Sequence, residues 1–200
     1  MTLTEKRFSK EQVLKIIDQY DKSNASEKIA EYSVKLQDSS QSLISRKNFL
    51  GHVVASAIVF DSTLSKVLLI EHKKLNKYIQ PGGHVDKTDE SFCFAAKRQL
   101  EEETGLSKLS FVPFNKEFPD IPIDIDIHTI PKNEKKQEAE HPHIDFRYFF
   151  VLEKDEEGRM NEAEIGDMLW RPIKEFEAAN PDLARVVQKC IKLLSERRNR

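Results

Sequence analysis

Residues Pro81–Leu106 read PGGHVDKTDESFCFAAKRQLEEETGL: two glycines, a polar loop, then an acidic amphipathic run. The spacing predicts a helix from about Glu90 to Thr104, with Gly105 as its C-terminal stop. Phe92, Ala96 and Leu100 recur at intervals of four and can pack that helix onto a sheet. Gln99, Glu102 and Glu103 are related by steps of three and four and share another face, while Glu101 points roughly the opposite way. Adjacent carboxylates at Glu102 and Glu103 repel each other unless a cation sits between them. Mg²⁺ (or Mn²⁺) suits that task, because it takes oxygen ligands and keeps waters and phosphate oxygens in its shell. The glycine pair lets the backbone come close enough for Gly82 to offer a carbonyl. Arg98, one turn before Glu102, can orient the carboxylates or pair with Glu90.

The flanking sequence changes language twice. Ahead of the glycines, HVVASAIVF (from His52) and KVLLIEH (from Lys66) flank a short Asp61–Ser65 turn and predict a hairpin. Further strands are expected near Leu109–Phe114, Ile121–Ile130, His143–Glu153 and Met168–Pro172. Asn180-Pro181 opens a last helix whose apolar stripe is Leu183, Val186, Val187, Cys190 and Leu194. Residues 1–50 read as a helical extension, with Ser9 and Gln12 at capping-box spacing and an apolar stripe of Val13, Ile16, Ile17 and Tyr20. Residues 51–200 then form one domain. Hairpin strands with intervening helices give an α+β class rather than a doubly wound parallel sheet.

The combination of Gly-Gly, Glu90 eight residues before Arg98, then Arg98, Leu100, Glu102, Glu103, Gly105 and Leu106 resembles the box of the Nudix hydrolase superfamily, G-x5-E-x7-R-E-U-x-E-E-x-G-U, where U is a bulky aliphatic residue. The likeness extends from about His52 to the C-terminus and implies a mixed sheet flanked by helices. It also implies metal-assisted attack of water on a diphosphate linkage, with Glu102 and Glu103 holding the ion and Arg98 orienting them. Family members add an acid from a late loop, and Glu164 is the preferred choice over Glu162 and Asp167. There are two departures from the pattern. Six residues rather than five separate Gly83 from Glu90, and Gln99 stands where the family has a Glu that binds metal or takes the proton from water. An amide cannot act as a base near neutral pH. A substitute base could come from Glu164, Glu140 or His141, and a weakened nucleotide-binding or sensor module is the rival reading.

Strand parity suggests a substrate wall. In DIPIDIDIHTI, Asp124, Asp126 and His128 share a face opposite the isoleucines, and in HIDFRYFF the same holds for His143, Asp145 and Arg147. If those strands are neighbours, they make one His/Asp/Arg surface, joined by His84, with Arg147 as a phosphate contact. A dedicated histidine metal site is not expected, since the histidines show no compact ligand spacing. Residues Pro131–Pro142 read as a long, charged, mobile loop.

Composition sets outer limits. Net charge is −2, with 38% apolar and 33% charged residues, so no basic excess points to a nucleic acid polymer or an anionic membrane. No apolar run approaches membrane-spanning length, and two isolated cysteines fit a reduced, cytoplasmic chain. The expected partner is a small-molecule diphosphate, and the N-terminal stripe could serve a homodimer or pack on the domain.

Overall fold

The structure is a computed structural model that describes residues 7–24, 26–73, 76–134, 137–175 and 181–198. Two helices come first, α1 (Lys10–Asn24) and α2 (Glu27–Gln37). Four strands follow: β1 (His52–Phe60), β2 (Lys66–His72), β3 (Lys77–Ile79) and β4 (Gly82–His84). Next are α3 (Phe92–Thr104), β5 (Leu109–Phe111), β6 (Asp124–Ile130), β7 (His141–Leu152), β8 (Ile165–Pro172) and α4 (Pro181–Arg198). The helices begin where side-chain caps are available. Ser9 Oγ accepts from Gln12 N at 3.2 Å and Ser26 Oγ from Ile29 N at 3.4 Å. Ser91 Oγ accepts from Phe94 N at 3.0 Å, so α3 starts two residues later than expected. Gly105, at φ +67°, closes it. The cap expected at Asn180 lies outside the described residues.

All eight strands belong to one mixed sheet. β1 runs parallel to β7 from His52↔His143 to Phe60↔Val151. Its other edge is taken by β4, at Val54↔His84 and Ser56↔Gly82. The expected β1–β2 hairpin therefore closes only at Phe60↔Val67. β2 continues the sheet to β3 and β8. β6 and β5 both pair antiparallel with β7. β7 begins at His141, paired with Ile130, so the charged segment is shorter than expected and a bridge between Asn133 and Glu138 pins it.

Parity divides the sheet into two unlike faces. One carries Val53, Ala55, Ala57, Ile125, Ile144 and Phe146 into a core with α3 (Phe92, Ala96, Leu100) and the N-terminal helices (Val13, Ile16, Ile17, Leu36). The N-terminal stripe is thus covered within the chain. On the other face, Ile58, Phe60 and Phe149 lie under Leu183, Val186, Val187 and Cys190 of α4. Nearer the start of β1 and β7 that same face turns polar, with His52, Ser56, His143, Asp145 and Arg147. Among the described residues no helix is long and apolar enough to cross a membrane.

Candidate active site

The short strand β4 is pressed between β1 and α3. A Cβ on Gly82 would lie 2.4 Å from Ser56 Cβ and 2.8 Å from the Ala55 carbonyl, so only glycine permits this approach. The amide of Gly82 donates to Glu103 Oε2 at 3.0 Å. Gly82 therefore positions a carboxylate through its N–H, a task the sequence did not suggest. One turn earlier on α3, Gln99 lies against Gly83, and its Nε2 donates to the His84 carbonyl at 3.4 Å. Gln99, Glu102 and Glu103 keep the shared helix face expected of them.

Glu103 is 6% exposed and its carboxyl is raised to about 7. Burial is the main cause, and the negative charges of Glu164 and Glu102 add to it against the Gly82 hydrogen bond. Glu164 thus comes within electrostatic reach of Glu103, carried there by a turn in which Asn161 N donates to the Glu103 carbonyl at 2.9 Å. The three carboxylates do not collapse onto one point, as expected for like charges. Glu102 is drawn aside by Arg98, whose Nη1 lies 3.0 Å from its Oε2.

Arg98 has a second partner that differs from the one expected. Its Nε and Nη2 donate to the two oxygens of Asp89 at 2.7 and 2.8 Å, and Nη2 also reaches the His84 carbonyl at 3.2 Å. Asp89 is 1% exposed, and this fork-to-carboxylate pairing fixes the loop ahead of α3. Glu90 takes no part in it. Instead Glu90 lines a separate hollow beside Arg7 and Phe8.

The polar surface inferred from parity exists in the expected register, with Asp124↔Arg147, Asp126↔Asp145 and His128↔His143. Its interior is closed rather than open. Arg147 is 5% exposed and pairs with Asp124, Asp126 and Asp145 at 3.2, 3.0 and 3.2 Å. Asp145, also buried, accepts from Ser56 Oγ at 2.7 Å and Gln80 Nε2 at 2.9 Å. A guanidinium committed to three carboxylates acts as a structural tie, whereas the sequence reading expected a phosphate contact at Arg147. At the outer end the histidines gather. The rings of His52, His84, His141 and His143 lie 4.6–5.3 Å apart in five neighbouring pairs, and His128 joins them through His143 at 5.7 Å. His84, His128 and His143 were expected on one surface; His52, set beside His143 by parallel pairing, and His141 were not among them.

A cavity of about 700 Å³ opens next to this surface, lined by Ile44, Arg46, Lys47, His84, Lys87, Arg98 and Gln99 among others. Its cations come from the segment before β1, from the β4–α3 loop and from α3. Of these, the sequence reading singled out only Arg98.

The sequence profile of the NUDIX domain matches residues 50–190. The chain belongs to that family. A probable DHNTP pyrophosphohydrolase of Lactococcus lactis subsp. cremoris (strain MG1363) is 35% identical over 130 residues, covering 65% of this chain and 72% of the relative. With the family comes the enzyme class, a Nudix-type pyrophosphohydrolase. Two solved structures share the fold. A NUDIX-family hydrolase from Clostridium perfringens has TM-score 0.54 and 22% identity, covering 72% of this chain and 96% of that one. The E. coli dihydroneopterin triphosphate pyrophosphohydrolase also has TM-score 0.54, with 12% identity over 68% of this chain and 92% of that one.

Within the Nudix box, the Arg98–Asp89 pair revises the reading of the spacing. Gly83 and Asp89 are separated by five residues, as the box requires, so Asp89 occupies the acidic position in place of Glu90. The extra residue then falls between Asp89 and Arg98, where the N-cap Ser91 starts the helix. The sequence held this signal in the G-x5-D spacing, which a search for Glu passed over.

Proposed function

We propose that this chain hydrolyses a phosphoanhydride bond in a nucleoside triphosphate or a nucleoside-like triphosphate. The carrying observation is the adjacency of a cavity lined by Arg46, Lys47, Lys87 and Arg98 to a carboxylate group built on the buried Glu103. The cations suit a chain of phosphates, and the name of the Lactococcus relative supports a pterin nucleotide within that class.

The donor set fits a hard divalent cation. A carboxyl raised to about 7 by burial, and further by two other carboxylates, is relieved by a nearby positive charge, and all three offer oxygen. Glu102, Glu103 and Glu164 would hold Mg²⁺ or Mn²⁺, with the Gly82 carbonyl as a further donor. When bound, the ion neutralises phosphate charge and lowers the pKa of water. The rest is done by the chain's own groups. Gly82 N–H fixes the Glu103 carboxylate, and Arg98, locked by Asp89, fixes Glu102. His84 borders the phosphate path, while His143, Asp145 and Arg147 position the sheet beneath it. Gln99 cannot take a proton, so the proton from water passes to a carboxylate of the group.

The rival reading of a weakened binding module rests on Gln99. Its amide donates to the His84 carbonyl, which a carboxylate could not do, so the amide has a structural task of its own. The test is a panel of nucleoside and pterin triphosphates, dinucleoside polyphosphates and sugar nucleotides with Mg²⁺ or Mn²⁺, read as phosphate and pyrophosphate release. Metal-dependent product from a triphosphate is expected. Binding without product across the panel would favour the rival.

A further inference from the structure

We propose that His52, His141 and His143 form a site for one Zn²⁺-type transition-metal ion, distinct from the carboxylate group on α3. One nitrogen from each ring lies within 4.8 Å of the other two, and no other described His, Cys, Asp or Glu residues form such a group. In a tetrahedral site with Zn–N bonds of 2.0–2.1 Å, the nitrogens stand roughly 3.3 Å apart. Ligation would draw the three nitrogens together by side-chain rotation.

The tautomers favour ligation. His141 Nδ1 lies 2.7 Å from the Ala139 carbonyl and His52 Nδ1 3.4 Å from the Asn48 carbonyl. A carbonyl oxygen only accepts, so each Nδ1 carries the proton and each Nε2 presents a lone pair. Backbone carbonyls of this kind orient metal-binding histidines. His52 is wholly buried, and its Nε2 is the single buried side-chain nitrogen or oxygen without a hydrogen-bond partner among the described residues. An orphaned lone pair in such a place costs free energy that a cation would recover. Burial, with the neighbouring imidazoles, also lowers His52 to about 4 and His143 to about 2, so both rings are neutral at physiological pH.

Three neutral imidazoles select against Mg²⁺ and for Zn²⁺ and its neighbours in the first transition row. The carboxylate group has the opposite preference, so one molecule would carry two ions of different character. The ring of His84 lies 5.2 Å from those of both His52 and His143 and also lines the basic cavity. The histidine site therefore borders the basic cavity through His84.

The test uses the full chain after chelator treatment, titrated calorimetrically with Zn²⁺ in excess Mg²⁺. One equivalent should bind to the wild type and to Glu103→Gln. Affinity should fall at least ~100-fold in His143→Ala and His141→Asn, more than loss of an outer-sphere partner costs. X-ray absorption of the Zn²⁺-loaded wild type needs no variant and should show imidazole scattering. Absence of tight Zn²⁺ binding to the wild type would overturn the proposal. So would an oxygen-only first shell, or loss of binding in Glu103→Gln with retention in both histidine variants.

Discussion

Two carboxylate clusters a short distance apart in this fold solve the same electrostatic problem in opposite ways. On the sheet, burial pushes the Asp126 carboxyl up, but a hydrogen bond from His128 and the charge of Arg147 bring it down to about 2. On the edge of α3, burial acts on Glu103 in the same sense, with only more carboxylates nearby, and leaves it at about 7. The first cluster was built with its own cation. In the second, Arg98 steadies Glu102 but no cation is paired with Glu103, an arrangement that suits the uptake of a positively charged ligand.

The sharpest way to break this contrast is Glu103→Gln. Metal-dependent turnover on the best triphosphate should fall on the order of 100-fold or more, from the transition-state charge stabilisation lost with a metal-holding carboxylate. A kcat within threefold of wild type would show that Glu103 stands outside the site. Arg147→Ala attacks the other cluster and should act on folding instead. Leaving the buried Asp124 and Asp145 and the partly exposed Asp126 without that guanidinium costs about 3–5 kcal/mol, or roughly 10 °C in Tm. A small thermal change with a raised KM would restore Arg147 as a substrate contact.

The clusters should also respond to pH with opposite slopes in metal-free protein. Folded Glu103 keeps its proton to about pH 7, whereas the unfolded chain releases it near 4.5. Stability therefore falls as pH rises through that window. Folded Asp126 ionises near 2 against 3.8 when unfolded, so its contribution is complete above 3.8 and is lost as pH falls toward 2. Chemical denaturation from pH 4.5 to 8 should show the first slope in wild type and its disappearance in Glu103→Gln. A slope that survives the substitution would assign it to another group.

The smallest effect is expected from Gln99→Glu. The new carboxylate would face the His84 carbonyl, replacing a hydrogen bond by repulsion. We expect less than a tenfold change in kcat, because a carboxylate other than residue 99 takes the proton. A gain of several hundred-fold would show that no substitute base operates.

The acidic cluster was legible in the sequence because it is local. Glu102 and Glu103 each lie one turn from a helix partner, Arg98 and Gln99, and helical periodicity alone sets them on one face. The aspartates of β6 and the Arg147 face were legible as stripes, since strand parity has a period of two. What parity could not supply was depth. Nothing in the order of residues says that Ser56, Gln80 and α4 close over Asp145 and Arg147. The histidine group stayed hidden because His52 and His143 are brought together by parallel pairing across ninety intervening residues. The role of Asp89 was missed through attention to residue type, although its spacing from Gly83 was plain.

Asp124 is fully buried and is met by Tyr20 Oη at 3.0 Å, Arg147 Nη1 at 3.2 Å, Arg185 Nη1 at 2.6 Å and Lys189 Nζ at 2.9 Å. Those partners come from the first described long helix, the middle of the sheet and the last helix. During synthesis the chain emerges in order, so α1 must wait for β6 before Tyr20 finds its acceptor. Both must wait for α4 before the carboxylate receives its full complement of cations. Final closure of the N-terminal half thus depends on α4, and a chain stalled before Arg185 would carry a half-neutralised charge at its centre.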